Sequence, residues 1–184
     1  LSSEAYMVDH PAPWSHKTGE ISFGFCSGVQ VDKYGNVNST CIGPVDSPKV
    51  QLVGPILVTE HMALFGREYI MIPRHERRHF VEQVDHISGV GFPGGRKERE
   101  KLRLSGSGPA YIYTPKCIFS FDDEGKIYVK SIHPGVSKED VIQSTGFDVG
   151  NLDDVPVTPE PSPEELRILR EEVDPKGILF PRPG

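Results

Sequence analysis

"CIFSFDDEGKIYVKSIHPGVSKEDVIQSTG", residues 117–146, decides the class of fold. Its first half holds two apolar, β-rich runs around Asp123-Glu124-Gly125, the pattern of two strands joined by a turn. Its second half changes period. Ser137 stands as an N-cap, Asp140 at the capping-box position, Val136 and Val141 as a hydrophobic staple and Gly146 as a stop, which predicts a compact helix. The same scheme recurs in "SPEELRILREEV", residues 162–173, with Ser162 as cap, Pro163 in the first turn and Glu165 at the box position. Upstream, "EISFGFCSGVQV" (20–31), "REYIMIP" (67–73) and "PAYIYTP" (109–115) read as short strands. Strands that alternate with helices predict an α/β layered domain, a sheet flanked by helices.

Between these signals the chain is rich in turns, as its 19 glycines and 17 prolines require. "DKYGNVNST" (32–40) has turn chemistry around Gly35, "VQLVGPILV" (50–58) is apolar but broken at Gly54-Pro55, and "HFVEQVDHISG" (79–89) has a helical spacing of apolar residues. "PGGRKEREKLRLSGSG" (93–108) mixes glycine and charge without an apolar stripe, and is expected to be an exposed loop. One domain over 1–184 fits the length. A net charge of −6 argues against a nucleic-acid groove or an anionic membrane surface as partner. No apolar run is long enough to span a bilayer and no signal-peptide pattern opens the sequence. Cys26, Cys41 and Cys117 lack zinc-knuckle or disulfide spacing, so reduced thiols and a cytoplasmic location are expected.

His75-Glu76-Arg77-Arg78-His79 is an H-E-x-x-H pattern, which on a helix places two zinc ligands one turn apart with a general base between them. Here Pro73 closes a strand just before it, so His75 falls in the connection ahead of a helix starting near residues 77–79, and the ligand geometry fails. His86, His133 and Glu60 carry no motif that would supply a third ligand. A zinc hydrolase is therefore the weakest reading and no metal is expected. His75 still follows a strand end, where α/β folds place ligands, and is a pocket candidate.

Read as a series, "GEISFGFCSGVQVDKYGNVNST", "PKVQL", "HFVEQVDHISGVGF", "GGRKERE", "GPAYIYTPKCIFSFD", "SIHPGVSKEDVIQSTGFD" and "VPVTPEPSPEELRILREEVDP" resemble the second, β-type subunit of family I CoA-transferases, in order and over nearly the whole chain. The resemblance implies a Rossmann-like, CoA-transferase-like α/β fold. It implies an enzyme active only with a homologous α subunit, as (αβ)2 or a similar hetero-oligomer. It implies transfer of CoA from an acyl-CoA to a carboxylic acid through a glutamyl-CoA intermediate, with the CoA thioester as substrate and no tightly bound cofactor. No catalytic residue is identified in the chain itself. The family's glutamate belongs upstream of the strand carrying Gln30, so a segment preceding Leu1 is expected to hold it, and Glu4 is read as a solvent-exposed terminal acid.

The family's glycine-rich loop, whose backbone N–H groups serve the thioester oxyanion, corresponds here to "LVGPILVTE". Gly54 matches its first glycine, Ile56 and Leu57 stand where two glycines would, and Val58 stands where the family has alanine. Gly54, Leu57 and Val58 are thus the expected oxyanion loop, altered in a way that keeps a second reading open. That reading is a CoA-thioester hydrolase like the steroid ring-opening enzymes, with catalysis from the α subunit. Gln30 and Asn36 flank the family's turn and are pocket candidates, with a purely structural turn as the alternative. His133 and the basic run Arg96, Lys97, Arg99, Lys101 and Arg103 are expected to be structural and solvated, respectively. The acyl group is not legible in the sequence.

Overall fold

The computed structural model describes residues 21–179. Along the chain run β1 (Gly24–Cys26), β2 (Gln30–Asp32), β3 (Val37–Asn38), β4 (Cys41–Ile42), β5 (Val50–Gln51), α1 (Val58–Leu64), β6 (Glu68–Met71), β7 (Phe80–Val81), α2 (Arg96–Lys101), β8 (Pro109–Tyr113), β9 (Cys117–Phe121), β10 (Ile127–Ile132), α3 (Lys138–Ser144) and α4 (Pro163–Arg167), the last continuing as a π-helical stretch, Ile168–Val173. The main sheet has the order β1-β6-β8-β9-β10. Its first three strands are parallel, and β8, β9 and β10 pair antiparallel. It is therefore a mixed sheet with helices beside it, an α/β architecture as expected, in which a parallel core is extended by a hairpin. That hairpin turns where the sequence indicated, with Asp122 and Lys126 paired backbone to backbone at 2.9 Å and Gly125 at φ +84.

Period-2 alternation assigns the two faces. Cys26, Ile70, Ile112, Phe119 and Val129 point to a core completed by Val31, Met62, Phe80, Phe92, Val141 and Phe147 from the surrounding segments. The opposite face carries Phe25, Tyr69, Tyr111 and Tyr113. Phe25 and Tyr69 lie 5.4 Å apart, and Tyr69 stacks on Tyr111 at 6.0 Å. Phe25 and Met71 are half exposed on that face.

Both caps read from the sequence are formed. The Ser137 hydroxyl accepts from the Asp140 N–H at 3.0 Å, and Ser162 with Glu165 makes the full reciprocal box. Two expectations fail, and one helix was not foreseen. Residues 79–89 are not a helix: Phe80–Val81 is a strand parallel to β2, followed by turns. Phe80 and Val84 are buried but Ile87 is half exposed, so the spacing never defined one buried face. The apolar 50–58 segment ends in a helix, α1, that its glycine and proline concealed. And 93–108 is not simply an exposed loop, because it contains α2, whose Arg99 is buried.

Arg99 explains how that segment is held. Its guanidinium donates to the carbonyls of Val90 (2.8 Å), Gly91 (2.8 Å), Met62 (2.7 Å) and Gly106 (3.0 Å). These four acceptors belong to three separate stretches of chain. The planar five-donor head suits such a task and an ammonium does not. Burial lowers its pKa to about 10, still well above neutrality, so the cation persists. Replacing Arg99 by Ala strands several buried carbonyls and is expected to cost roughly 3 kcal/mol or more in urea unfolding. R99K is expected to recover only part of the loss.

Candidate active site

In an open α/β sheet the ligand crevice lies beyond the carboxyl ends of the parallel strands. Here those ends are Ser27 after β1, Ile72-Pro73 after β6 and Thr114-Pro115 after β8. A cavity of about 830 Å³ is lined by Ser27, Gly28, Val29, Ser39, Gln51, Leu52, Val53, Ile72, Pro73, Arg74 and His79. A second, of about 410 Å³, continues over Met71, Tyr113, Thr114 and Pro115, and a third, of about 270 Å³, runs under residues 53–58 to His61. All three meet at Ser27. Together they give the mostly apolar, sparsely polar concavity expected of a ligand site. No carboxylate of the described residues lines any of them.

Sequence reasoning missed Ser27 and Ser39 on this wall and weighed His79 only as a zinc ligand. Ser27 donates to the Met71 carbonyl at 2.7 Å, tying β1 to β6 at the crevice. Ser39 donates to the Gly54 carbonyl at 3.0 Å and anchors the start of the loop. The His79 Nδ1–H donates to the Val29 carbonyl at 2.9 Å, which fixes its tautomer. The signal that was available was position: each lies at or just beyond a strand end.

The expected loop does border the crevice. Gly54, Leu57 and Val58 line its third part. Gly54 is at φ +87, and Ile56 is held at φ +50, a left-handed conformation that a β-branched residue adopts at a cost. The backbone thus keeps a glycine-like turn at a position where glycine is absent. Of the two expected oxyanion donors, the Val58 N–H is already committed to the Pro55 carbonyl at 2.8 Å, closing the turn into α1. The Leu57 N–H, like that of Ile56, donates to no described residue.

The other sequence-derived candidates sit elsewhere. Gln30 is buried; its carbonyl accepts from Asn38 Nδ2 (2.7 Å) and the Asp85 N–H (3.1 Å), and its amide donates to Asp85. Asn36 donates to the Asp32 carboxylate at 2.9 Å and accepts from the Gly91 N–H at 2.9 Å. Both hold the β2–β3 turn together and neither lines the crevice, which corrects their reading as pocket residues. His75 is likewise sealed, with Nδ1 2.9 Å from the Thr114 hydroxyl and Nε2 3.0 Å from that of Thr145. Burial lowers its pKa to about 4, with the Lys116 and His79 charges adding to the effect. It is therefore a neutral core imidazole, and with both nitrogens engaged it offers no lone pair to a metal. Among the described residues no group of three His, Cys, Asp or Glu is placed to hold a metal ion. His133 is structural as expected, bonded to Thr158 and to the Thr114 carbonyl. Glu4 lies outside the described residues.

No family model matches the chain. Individual relatives do. The B subunit of glutaconate CoA-transferase from Acidaminococcus fermentans is 36% identical over 162 residues, 87% of this chain and 59% of the relative. The B subunit of 3-oxoadipate CoA-transferase from Pseudomonas knackmussii is 37% identical over 83% of this chain and 58% of its own. The chain belongs to the family of CoA-transferase B subunits. This B-subunit homologue spans about three fifths of the length of the curated relatives it matches. It is also 31% identical to the IpdB subunit of the cholesterol ring-cleaving hydrolase of Rhodococcus jostii, over 81% of this chain and 58% of that protein. The crystal structure of the A. fermentans glutaconate CoA-transferase superposes with a TM-score of 0.78 at 34% identity, over 88% of this chain and 62% of the other. That of R. jostii IpdAB also gives 0.78, at 29% identity, over 88% and 64%. The AibA/AibB decarboxylase, at 19% identity and a TM-score of 0.71 over 85% of this chain and 58% of that one, shares the fold.

Two outcomes are expected. A Cβ added at Gly54 would meet nothing within 4 Å, so G54A carries only the strain of its φ and is expected to cost about 1–2 kcal/mol in chemical unfolding. The second concerns Glu68, buried on the core face beside Cys26. Burial raises its pKa to about 7 against the Cys26 hydrogen bond. A carboxyl that binds its proton more tightly when folded stabilises most fully below its unfolded pKa, and loses that contribution as pH rises through the folded value. Relative to E68Q, the wild-type chain is therefore expected to lose thermal stability between about pH 4.5 and about pH 7, and not to lose more above that.

Proposed function

We propose that this chain is the B-type half of a two-chain enzyme acting on CoA thioesters, and that the crevice at Ser27 and the 54–58 loop receives the thioester. The observation that carries this reading is the position of the loop. The segment matching the family's oxyanion loop borders a cavity at the carboxyl ends of three parallel strands, with the N–H groups of Ile56 and Leu57 uncommitted among the described residues. The apolar lining suits an acyl chain or the pantetheine arm, and Arg74 on the wall suits a carboxylate or phosphate. The main reading is transfer of CoA to a carboxylic acid through a glutamyl carboxylate. No carboxylate of the described residues lines the crevice, so the nucleophile is assigned to no described residue. The chain works with a homologous α subunit, needs no tightly bound cofactor, and resides in the cytoplasm, where its three cysteines, free and buried, stay reduced. Among the described residues no helix is long and apolar enough to cross a membrane.

One observation favours a second reading, hydrolysis of the thioester with chemistry from the partner. The loop has lost two glycines and one of its two expected donors, and a lost oxyanion donor raises a barrier by about 3 kcal/mol. The two readings separate in one assay. The chain is purified with its associated partner, weighed intact, and supplied with acyl-CoA esters with and without a carboxylate acceptor. Transfer predicts new acyl-CoA and no net free thiol. Hydrolysis predicts free CoA without any acceptor. Isolation of the chain alone from its source, with no turnover of any acyl-CoA, defeats both.

A further inference from the structure

We infer that Ile56 determines acyl specificity: its side chain packs on an apolar acyl group seated beneath residues 53–58, so the site favours CoA esters of apolar acids several carbons long over those of very short acids. The inference rests on the reading that the crevice receives a CoA thioester, and it names the class of acyl group. It starts from a conformation. Among the described residues two that are not glycine adopt a positive φ, Ile56 at +50 and Arg103 at +52. Isoleucine is the poorer fit of the two, because its branched Cβ crowds the backbone there. Glycine would take that conformation freely, and Ile56 stands where the family has glycine. Burial does not offset the strain. Ile56 is 71% exposed, and Val53 beside it on the same wall is 80% exposed. A strained residue that contributes little to the core points to a contact the isolated chain does not show.

The place of that contact follows from the wall Ile56 belongs to. The part of the crevice under the loop holds about 270 Å³, scaled to an acyl group and not to the nucleotide of CoA. Phe25, Val53, Pro55 and Leu57 line it with Ile56, and no Lys, Arg, Asp or Glu does. The hydroxyl protons of its two serines are committed, Ser27 to the Met71 carbonyl and Ser39 to the Gly54 carbonyl. The two substituents of a thioester carbonyl leave it in different directions. The pantetheine arm carries amides and a hydroxyl that need polar partners, which the larger part of the crevice offers at Gln51, Arg74 and His79. The acyl group has no such need, and the apolar pocket under the loop suits it. What isoleucine adds over glycine at residue 56 is four carbons of apolar surface on the wall of that pocket.

The test uses the purified two-chain complex with hexanoyl-CoA and acetyl-CoA as substrates, and S-hexyl-CoA, an unreactive thioether, as a binding probe. I56N removes the apolar side chain and keeps the turn, since asparagine tolerates a left-handed backbone. I56G removes it and the strain together. Both are expected to lower kcat/KM about 10-fold for hexanoyl-CoA and less than about twofold for acetyl-CoA. By calorimetry both weaken S-hexyl-CoA about 10-fold and leave the binding of CoA itself unchanged. I56L, which keeps the apolar surface, stays within about threefold of wild type throughout. An unchanged preference between the two esters in I56N and I56G overturns the inference. Equal losses for both esters place the side chain on the pantetheine arm and overturn it too, as does a complex that dissociates in these variants with its acyl preference intact. Failure of the wild-type complex to bind either S-hexyl-CoA or CoA overturns the thioester reading beneath it.

Discussion

A single cation organises the segments around the crevice. Arg99 gathers carbonyls from the end of α1, from residues 90–91 and from residue 106, and no carboxylate of the described residues shares the task. A guanidinium in that position is stable only if all of its neighbours turn their oxygens inward, so it fixes three backbone paths at once. One of these paths is α1, which carries His61 and follows the 54–58 loop. Another is 90–91, where the Gly91 N–H meets Asn36 and locks the β2–β3 turn. The position of the loop over the sheet therefore depends on a residue far from the crevice. Phe92 packs beside the guanidinium, with ring centroid and Cζ 5.8 Å apart, so apolar and polar restraints converge there.

Much of this was legible in the residues and some was not, for definite reasons. Caps and tight turns are local: Ser137, Ser162 and Gly125 announce their structures within four residues, and all three formed. The α/β class followed from the same short-range signals. Burial of Arg99 could not be read, because a charge run with interleaved Glu98 and Glu100 looks solvated until tertiary carbonyls surround one member. Phe80 looked helical because two buried side chains four apart suit either a helix or a strand followed by a turn. The site divided the same way. The loop was found from its resemblance, yet the commitment of the Val58 N–H to Pro55 depends on a turn that only the folded backbone shows. Gln30 and Asn36 were chosen for flanking the family's turn and His75 for following a strand end, and all three proved to be internal braces. Ser27, which does line the crevice, carried no distinguishing neighbours, and His79, which lines it too, was weighed only as part of the zinc pattern.

The loop itself embodies a compromise. Ile56 keeps a backbone conformation that glycine would adopt freely, and the surrounding turn must hold it there. Its side chain is 71% exposed, so it contributes little to the fold, and it lines the part of the crevice beside the loop. A loop that keeps its path but changes its side chains retains the shape of the turn while narrowing the space beside it.

The outer face of the main sheet has a consequence of another kind. Parallel strands normally have both faces covered, yet here Phe25, Tyr69, Met71 and Tyr111 form a band of aromatic and sulfur-bearing side chains with only one side buried. Such a band favours contact with any apolar surface that approaches it. Among the described residues that band is left half exposed, so an isolated copy of the chain is prone to adhere through it to other apolar surfaces.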